Sequence, residues 1–167
     1  KYSDYLLNIE INEKFRINIA DFQKDIARGL FFDSNIPQGY GVGSSGALVA
    51  AIFEKYSVVK YSPESISKDE LKELKKVFGI LESFFHGKSS GIDPLICYMN
   101  LPILIENKEN VDRVSIPKSE EGKGAIFLID SGMTGETGPM VQIFFEKRKT
   151  EGFCKTLREE FIRYNNA

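Results

Sequence analysis

Apolar residues recur along this chain at spacings that predict helices in most places and strands in a few. The clearest run is Leu71, Leu74, Phe78, Leu81 and Phe85, at intervals of three and four with Lys72, Glu73, Lys75 and Lys76 between them. That pattern is one apolar helix face with its charged side turned to water. Ser67 and Glu70 form S-x-x-E just upstream, a capping box that starts the helix. The stretch GALVAAIFEKY, residues 46–56, is apolar on nearly every face until Glu54, which predicts a helix buried in the middle of the structure. Ser44 and Ser45 fall in its first turn.

Shorter signals fill the rest. Residues 1–9 read as a helix end, and FRINI at 15–19 alternates as a half-buried strand does. DFQKDIARG, 21–29, predicts a short helix capped by Asp21 and stopped by Gly29. LFFDS, 30–34, then reads as a strand. HGKSSGIDP, from His86, reads as a glycine-serine turn. Residues 101–106 and 112–116 predict a hairpin through NKENV, and GAIFLID, 124–130, a buried strand. Thr137, with Pro139 two residues on, opens the first of two helices with a break near Gly152. Strands mixed with helices in both halves predict an α/β or α+β architecture. PKSEEGKG, 117–124, is a polar linker and a candidate domain boundary.

Composition narrows the function. With 167 residues the chain is long enough for a real core, as one large domain or one and a half small ones. A net charge of −2 with both signs interspersed argues against a nucleic-acid platform and against a polybasic membrane surface. Cys97 and Cys154 stand far apart in no metal-ligand spacing and read as reduced thiols of a cytoplasmic protein. The apolar runs fall short of a membrane span, and no signal peptide is visible. The chain opens on KYSDYLL without an initiator Met and closes on RYNNA after a helical pattern, so the expectation is an internal part of a longer protein.

The candidate chemistry begins at SNIPQGYGVGSSGALVAAIF, residues 34–53, where Gly39, Gly41, Gly43 and Gly46 surround Ser44 and Ser45. Glycines just before a helix let an anion approach its unpaired N–H groups, at the positive end of the macrodipole. Direct amide hydrogen bonds to an ionised group add about 1.5–3 kcal/mol to a charge–dipole term of about 0.3–1 kcal/mol. The stretch therefore reads as a phosphate cradle. A P-loop is excluded, because no Lys stands in G-K-[ST] position. Gly41-Val-Gly43-Ser-Ser-Gly46 matches the dinucleotide fingerprint in letters, but IPQGY separates it from the preceding strand and only the loop acid Glu64 is near the expected position. A glycine-rich turn with a Ser cap and no ligand is the remaining reading.

The same residues resemble the second motif of the GHMP kinases, Pro-x-x-x-Gly-Leu-Gly-Ser-Ser-Ala. Pro37, Gly41, Gly43, Ser44 and Ser45 fall in register, Val42 stands for Leu and Gly46 for Ala. A second constellation, ILESFFHGKSSGID, resembles the mevalonate kinase branch: Glu82 lies four residues before His86-Gly87 and eleven before the Asp93 of Ser90-Gly91-Ile92-Asp93. A third and weaker similarity is Ile129-Asp130-Ser131-Gly132, which resembles a strand end where the family's second domain begins. Singly, Glu82 is a solvated helix acid, His86 a turn-packing or hydrogen-bonding residue, Asp93 before Pro94 a turn residue, and Asp130-Ser131 an ordinary Ser-Gly turn.

The resemblance implies an α+β GHMP kinase fold, present in part. Residues 1–118 would be most of a ribosomal-protein-S5-like first domain, and 119–167 the start of a ferredoxin-like second. It implies ATP and Mg²⁺ as cofactors. Gly39, Gly41, Val42, Gly43, Ser44, Ser45 and Gly46 would bind ATP, Ser45 and Glu82 would hold Mg²⁺, and Asp93 would be the catalytic carboxylate. His86, Ser90, Gly91, Asp130 and Ser131 would lie on the substrate side. The implied partner is a small mevalonate-like alcohol, with no nucleic acid or membrane and a homodimer left open. The family's first and third motifs lie outside this stretch, which implies an inactive chain unless the parent supplies them. Another acceptor (phosphomevalonate or a sugar) and a catalytically inactive relative that only binds a partner are the alternatives.

Overall fold

The structure is a computed structural model that describes residues 1–107, 110–114, 127, 129–130, 132–135 and 137–163. It divides into two compact units, Lys1–Ile36 with Gly43–Phe127, and Pro37–Val42 with Leu128–Ala167. Among the described residues no helix is long and apolar enough to cross a membrane.

The described residues of the first unit form a helical assembly with one small hairpin. Its helices are α1 Tyr2–Asn8, α2 Ile19–Ala27, α3 Ser44–Tyr56, α4 Lys68–His86 and α5 Ile92–Met99, followed by strands β1 Ile103–Ile105 and β2 Val111–Arg113. The strands pair antiparallel with Leu104 opposite Asp112. The hairpin predicted from sequence is therefore present, though shorter than its apolar letters suggested. Helices and a small sheet together make an α+β chain.

The core lies among α3, α4 and α5. Phe53 of α3 meets Phe78 of α4 edge-on at 5.0 Å and Tyr98 of α5 at 5.3 Å, the offset geometry aromatic pairs prefer. Leu74, Leu95, Met99 and Val111 are buried around them. The capping box is as predicted: Ser67 Oγ accepts the Glu70 N–H, and the Glu70 carboxylate accepts the Ser67 N–H. Leu71, Leu74, Phe78 and Leu81 face inward as expected, but Phe85 stays partly exposed and leans on the Tyr2 ring at 5.3 Å. Helix α3 is likewise covered on one side only, since Ala51 is exposed.

Several sequence expectations are corrected. The FRINI strand reduces to one bridge, Ile17 to Ser57, behind a 3₁₀ turn at Glu13–Phe15. Its alternation is real, for Phe15 and Ile17 are 1% and 4% exposed, but the backbone turns away at both ends. Asn18, not Asp21, caps α2; its side-chain oxygen accepts the Asp21 N–H at 3.1 Å. Gly29 ends that helix as expected, with Leu30 N–H reaching back to the Asp25 carbonyl and Gly29 N–H to that of Ile26, the Schellman pattern. Residues 30–34 form no strand. Among the described residues no backbone pairs with them to complete a ladder, and Phe31 is 80% exposed. Leu30, Phe31 and Phe32 instead border a cavity of about 350 Å³ with Phe22, Leu48 and Ile52.

Helix α5 begins where the sequence HGKSSGIDP predicts only a turn. Pro94 sits in its first turn, where a missing N–H costs no helical hydrogen bond.

In the second unit, α6 Thr137–Lys147 and α7 Glu151–Thr156 are the two expected helices, and α7 continues into a π turn over Leu157–Ile162. The break falls at 148–150, so Gly152 lies inside α7. Phe144 and Phe153 meet edge-on at 5.9 Å across the break. The linker at 117–124 lies outside the described residues, as do residues 124–126 and 128 of the expected strand.

Candidate active site

Three helix ends of the first unit build this site. Helix α3 begins after Gly43, which holds a left-handed backbone (φ 79°), and no side chain caps it. Its first intrahelical bond runs from Ala47 N–H to the Gly43 carbonyl at 2.9 Å. The amides of Ser44, Ser45 and Gly46 thus precede any helical acceptor and form the positive end of a 13-residue helix. Helix α5 starts the same way, from a left-handed Gly91 (φ 74°) with no side-chain cap and with Asp93 in its first turn.

Backbone contacts hold these starts together. A Cβ on Gly46 would lie 2.8 Å from Asp93 Cβ and from Pro94 N, so α5 rests directly on α3. A Cβ on Gly91 would come within 2.0 Å of the Lys75 carbonyl oxygen and 2.5 Å of Gly79 N. Only glycine fits there, by both space and φ. A Cβ built on Gly43 would be 3.9 Å from Asp93 Oδ2, which puts that carboxylate beside the start of α3.

Helix α4 ends in the same place. Glu82 is only 4% exposed. Ser45 Oγ donates to Glu82 Oε1 at 2.9 Å and lies 2.9 Å from His86 Nε2. Ser89 Oγ donates a short hydrogen bond to Glu82 Oε2. Partial burial raises the Asp93 pKa above the usual carboxylate range, the nearby negative charge of Glu82 adds to the rise, and His86 opposes it.

Among the described residues no group of three or more His, Cys, Asp or Glu is arranged to hold a metal ion. The Ser45 hydroxyl and the Glu82 carboxylate nevertheless make a pair of hard oxygen donors at 2.9 Å. Mg²⁺ is ordinarily held by one or two carboxylates together with phosphate oxygens and water, so this pair fits Mg²⁺ arriving with a nucleotide.

Of the residues singled out from sequence, the first unit brings together Gly43, Ser44, Ser45, Gly46, Glu82, His86, Gly91 and Asp93. Ser90 is exposed, its Oγ accepting the Ile92 N–H at 3.4 Å. Gly39, Gly41 and Val42 belong to the second unit. There Gly39 and Gly41 have φ of 81° and 69°, and the Gly39 carbonyl accepts the Gly135 N–H at 2.8 Å. Asp130, also in that unit, accepts the Gly132 N–H at 2.7 Å in a turn. Ser131 lies outside the described residues. Sequence reasoning missed Ser89; the signal available was a second serine beside Ser90 just after the helix stop at Gly87.

Residues 8–100, more than half of the chain, match the family described as GHMP kinases N terminal domain. The chain belongs to the GHMP kinase family. It is therefore a kinase by family, of a class that phosphorylates small molecules and is generally ATP-dependent. The matched span contains α3, α4 and all of α5, and with them every side chain of the site just described. No curated protein and no solved structure matches the chain.

Proposed function

We propose that the protein transfers a phosphoryl group from ATP, with Mg²⁺, to the hydroxyl of mevalonate, giving 5-phosphomevalonate. The observation that carries the kinase reading is the Ser45–Glu82 pair set beside the Asp93 carboxylate at two adjoining helix starts. Glu82, His86-Gly87 and the Ser90–Asp93 turn also keep the spacing of the mevalonate kinase branch, which supports the choice of acceptor.

The roles follow from the chemistry of each group. The amides of Ser44, Ser45 and Gly46 donate to phosphate oxygens. Ser45 Oγ and a Glu82 oxygen would hold Mg²⁺. When bound, Mg²⁺ neutralises charge on the β- and γ-phosphates. Asp93 accepts the proton of the attacking hydroxyl, and its raised proton affinity suits a base. Glu82 stays buried and hydrogen-bonded on both oxygens, which fixes its direction. On this reading residues 1–118 belong to a ribosomal-protein-S5-like first domain and 119–167 open a ferredoxin-like second.

The test is phosphoryl transfer by the full-length protein with Mg²⁺ and ATP against mevalonate, phosphomevalonate and galactose. Transfer to mevalonate is expected. Transfer to another acceptor only would overturn the choice of substrate, and absence of Mg²⁺-dependent ATP binding would overturn the kinase reading.

A further inference from the structure

Glu82 is a buried carboxylate whose two oxygens are served from opposite sides. Ser45 of α3 donates to Oε1, and Ser89, in the turn between α4 and α5, donates to Oε2. The terminal torsion of a Glu side chain is broad and roughly two-fold, so a single donor leaves the carboxylate plane free to rock. A second donor on the other oxygen removes that freedom. Ser89 is itself pinned: its backbone N–H donates to Ser83 Oγ at 3.2 Å, and its Oγ accepts the Gly91 N–H at 3.0 Å. Ser83 Oγ in turn donates to the Gly79 carbonyl at 2.6 Å. One hydroxyl therefore ties the plane of Glu82 to the turn from which Asp93 is launched.

We infer that Ser89 is a positioning residue for Mg²⁺: it holds Glu82 so that Oε1 stays beside Ser45 Oγ, and it couples that pair to the Asp93 turn. The inference rests on the assignment of Ser45 and Glu82 to Mg²⁺ made above and adds a residue to it. Ser89 touches neither metal nor substrate and acts through Glu82. Hydrogen-bond partners of metal-ligating carboxylates change metal affinity by about 10- to 100-fold when removed.

The experiment is a calorimetric titration of a non-hydrolysable ATP analogue into the full-length protein at a series of Mg²⁺ concentrations, and again in EDTA. Wild type, Ser89→Ala and Ser89→Thr are compared, with Ser89→Cys as a near-isosteric weak donor should the alanine variant fail to fold. The expected result is a half-saturating Mg²⁺ concentration raised about 10-fold or more in Ser89→Ala, unchanged binding in EDTA, and recovery in Ser89→Thr. Ser89→Cys should shift in the same direction as Ser89→Ala. Unshifted Mg²⁺ dependence overturns the inference while leaving the kinase reading intact. Equal weakening with and without Mg²⁺ also overturns it, because Ser89 would then serve the turn alone. A wild-type protein without Mg²⁺-dependent binding overturns both.

Discussion

Gly46 lies against the backbone of Asp93 with no room for a side chain: a methyl group there would stand 2.8 Å from the Asp93 carbonyl carbon. The uncapped start of α3 and the carboxylate-bearing start of α5 are thus spaced by main chain alone. The family motif has Ala at this position, and an alanine in the first turn of a helix ordinarily gains somewhat under 1 kcal/mol over glycine. Overpacking a tight contact costs about 1–3 kcal/mol. The steric cost wins, so Gly46→Ala should lower stability, read as a lower midpoint in urea unfolding. A raised midpoint would show that α3 and α5 separate freely.

Replacing Asp93 by Asn removes the proposed proton acceptor and keeps the shape. Turnover should fall by about 10²- to 10⁴-fold, the usual weight of general acid–base catalysis, while Mg²⁺·ATP affinity holds. Turnover near the wild-type value would remove Asp93 from the chemistry.

The pH profile carries a separate expectation. Partial burial and the charge of Glu82 raise the Asp93 pKa. Asp93 therefore protonates at higher pH than an ordinary aspartate as acid is added, and the acid limb of kcat/KM should lie correspondingly high. Glu82→Gln removes one of the raising causes, so the Asp93 carboxyl signal in a ¹³C titration should move down. An upward movement would contradict the charge coupling.

Glu70 governs stability rather than chemistry. Hydrogen bonding to Lys14 and then to Ser67 holds its pKa at about 2, well below the usual 4.5. A depressed carboxylate stabilises the fold above its unfolded pKa and loses that contribution as pH falls through the folded one. The stability gap between wild type and Glu70→Gln should therefore narrow between about pH 5 and pH 2. Chemical unfolding across that window checks it; a constant gap would mean the carboxylate charge contributes nothing.

Much of the helical part of the fold was legible because its signals are local. The capping box at Ser67, the three-and-four spacing that follows and the glycine stop at Gly29 each act within a few residues. The strand at 30–34 misled because its β-rich letters describe a preference, while a strand requires a paired neighbour. Helix α5 hid because Gly91 and Pro94 are turn residues in isolation. Gly91 is fixed by the backbone of α4, a contact no local pattern reports. Glu82, Asp93 and the two serines stand out in the sequence through the resemblance of their motifs to those of the family, whereas Ser89 has meaning only once α4 and its following turn are folded. Glu82 read alone as a solvated acid; three-dimensional packing buries it.

The Ser45 hydroxyl holds a single proton, and it is committed to Glu82. The 2.9 Å approach of His86 Nε2 to the same oxygen then requires the imidazole to supply the hydrogen. That selects the Nε2–H tautomer, or the imidazolium, and makes the ring a donor into a row that runs from His86 through Ser45 to Glu82. A residue replacing His86 keeps the row intact only if it too can donate there; a carboxylate would set one acceptor against another.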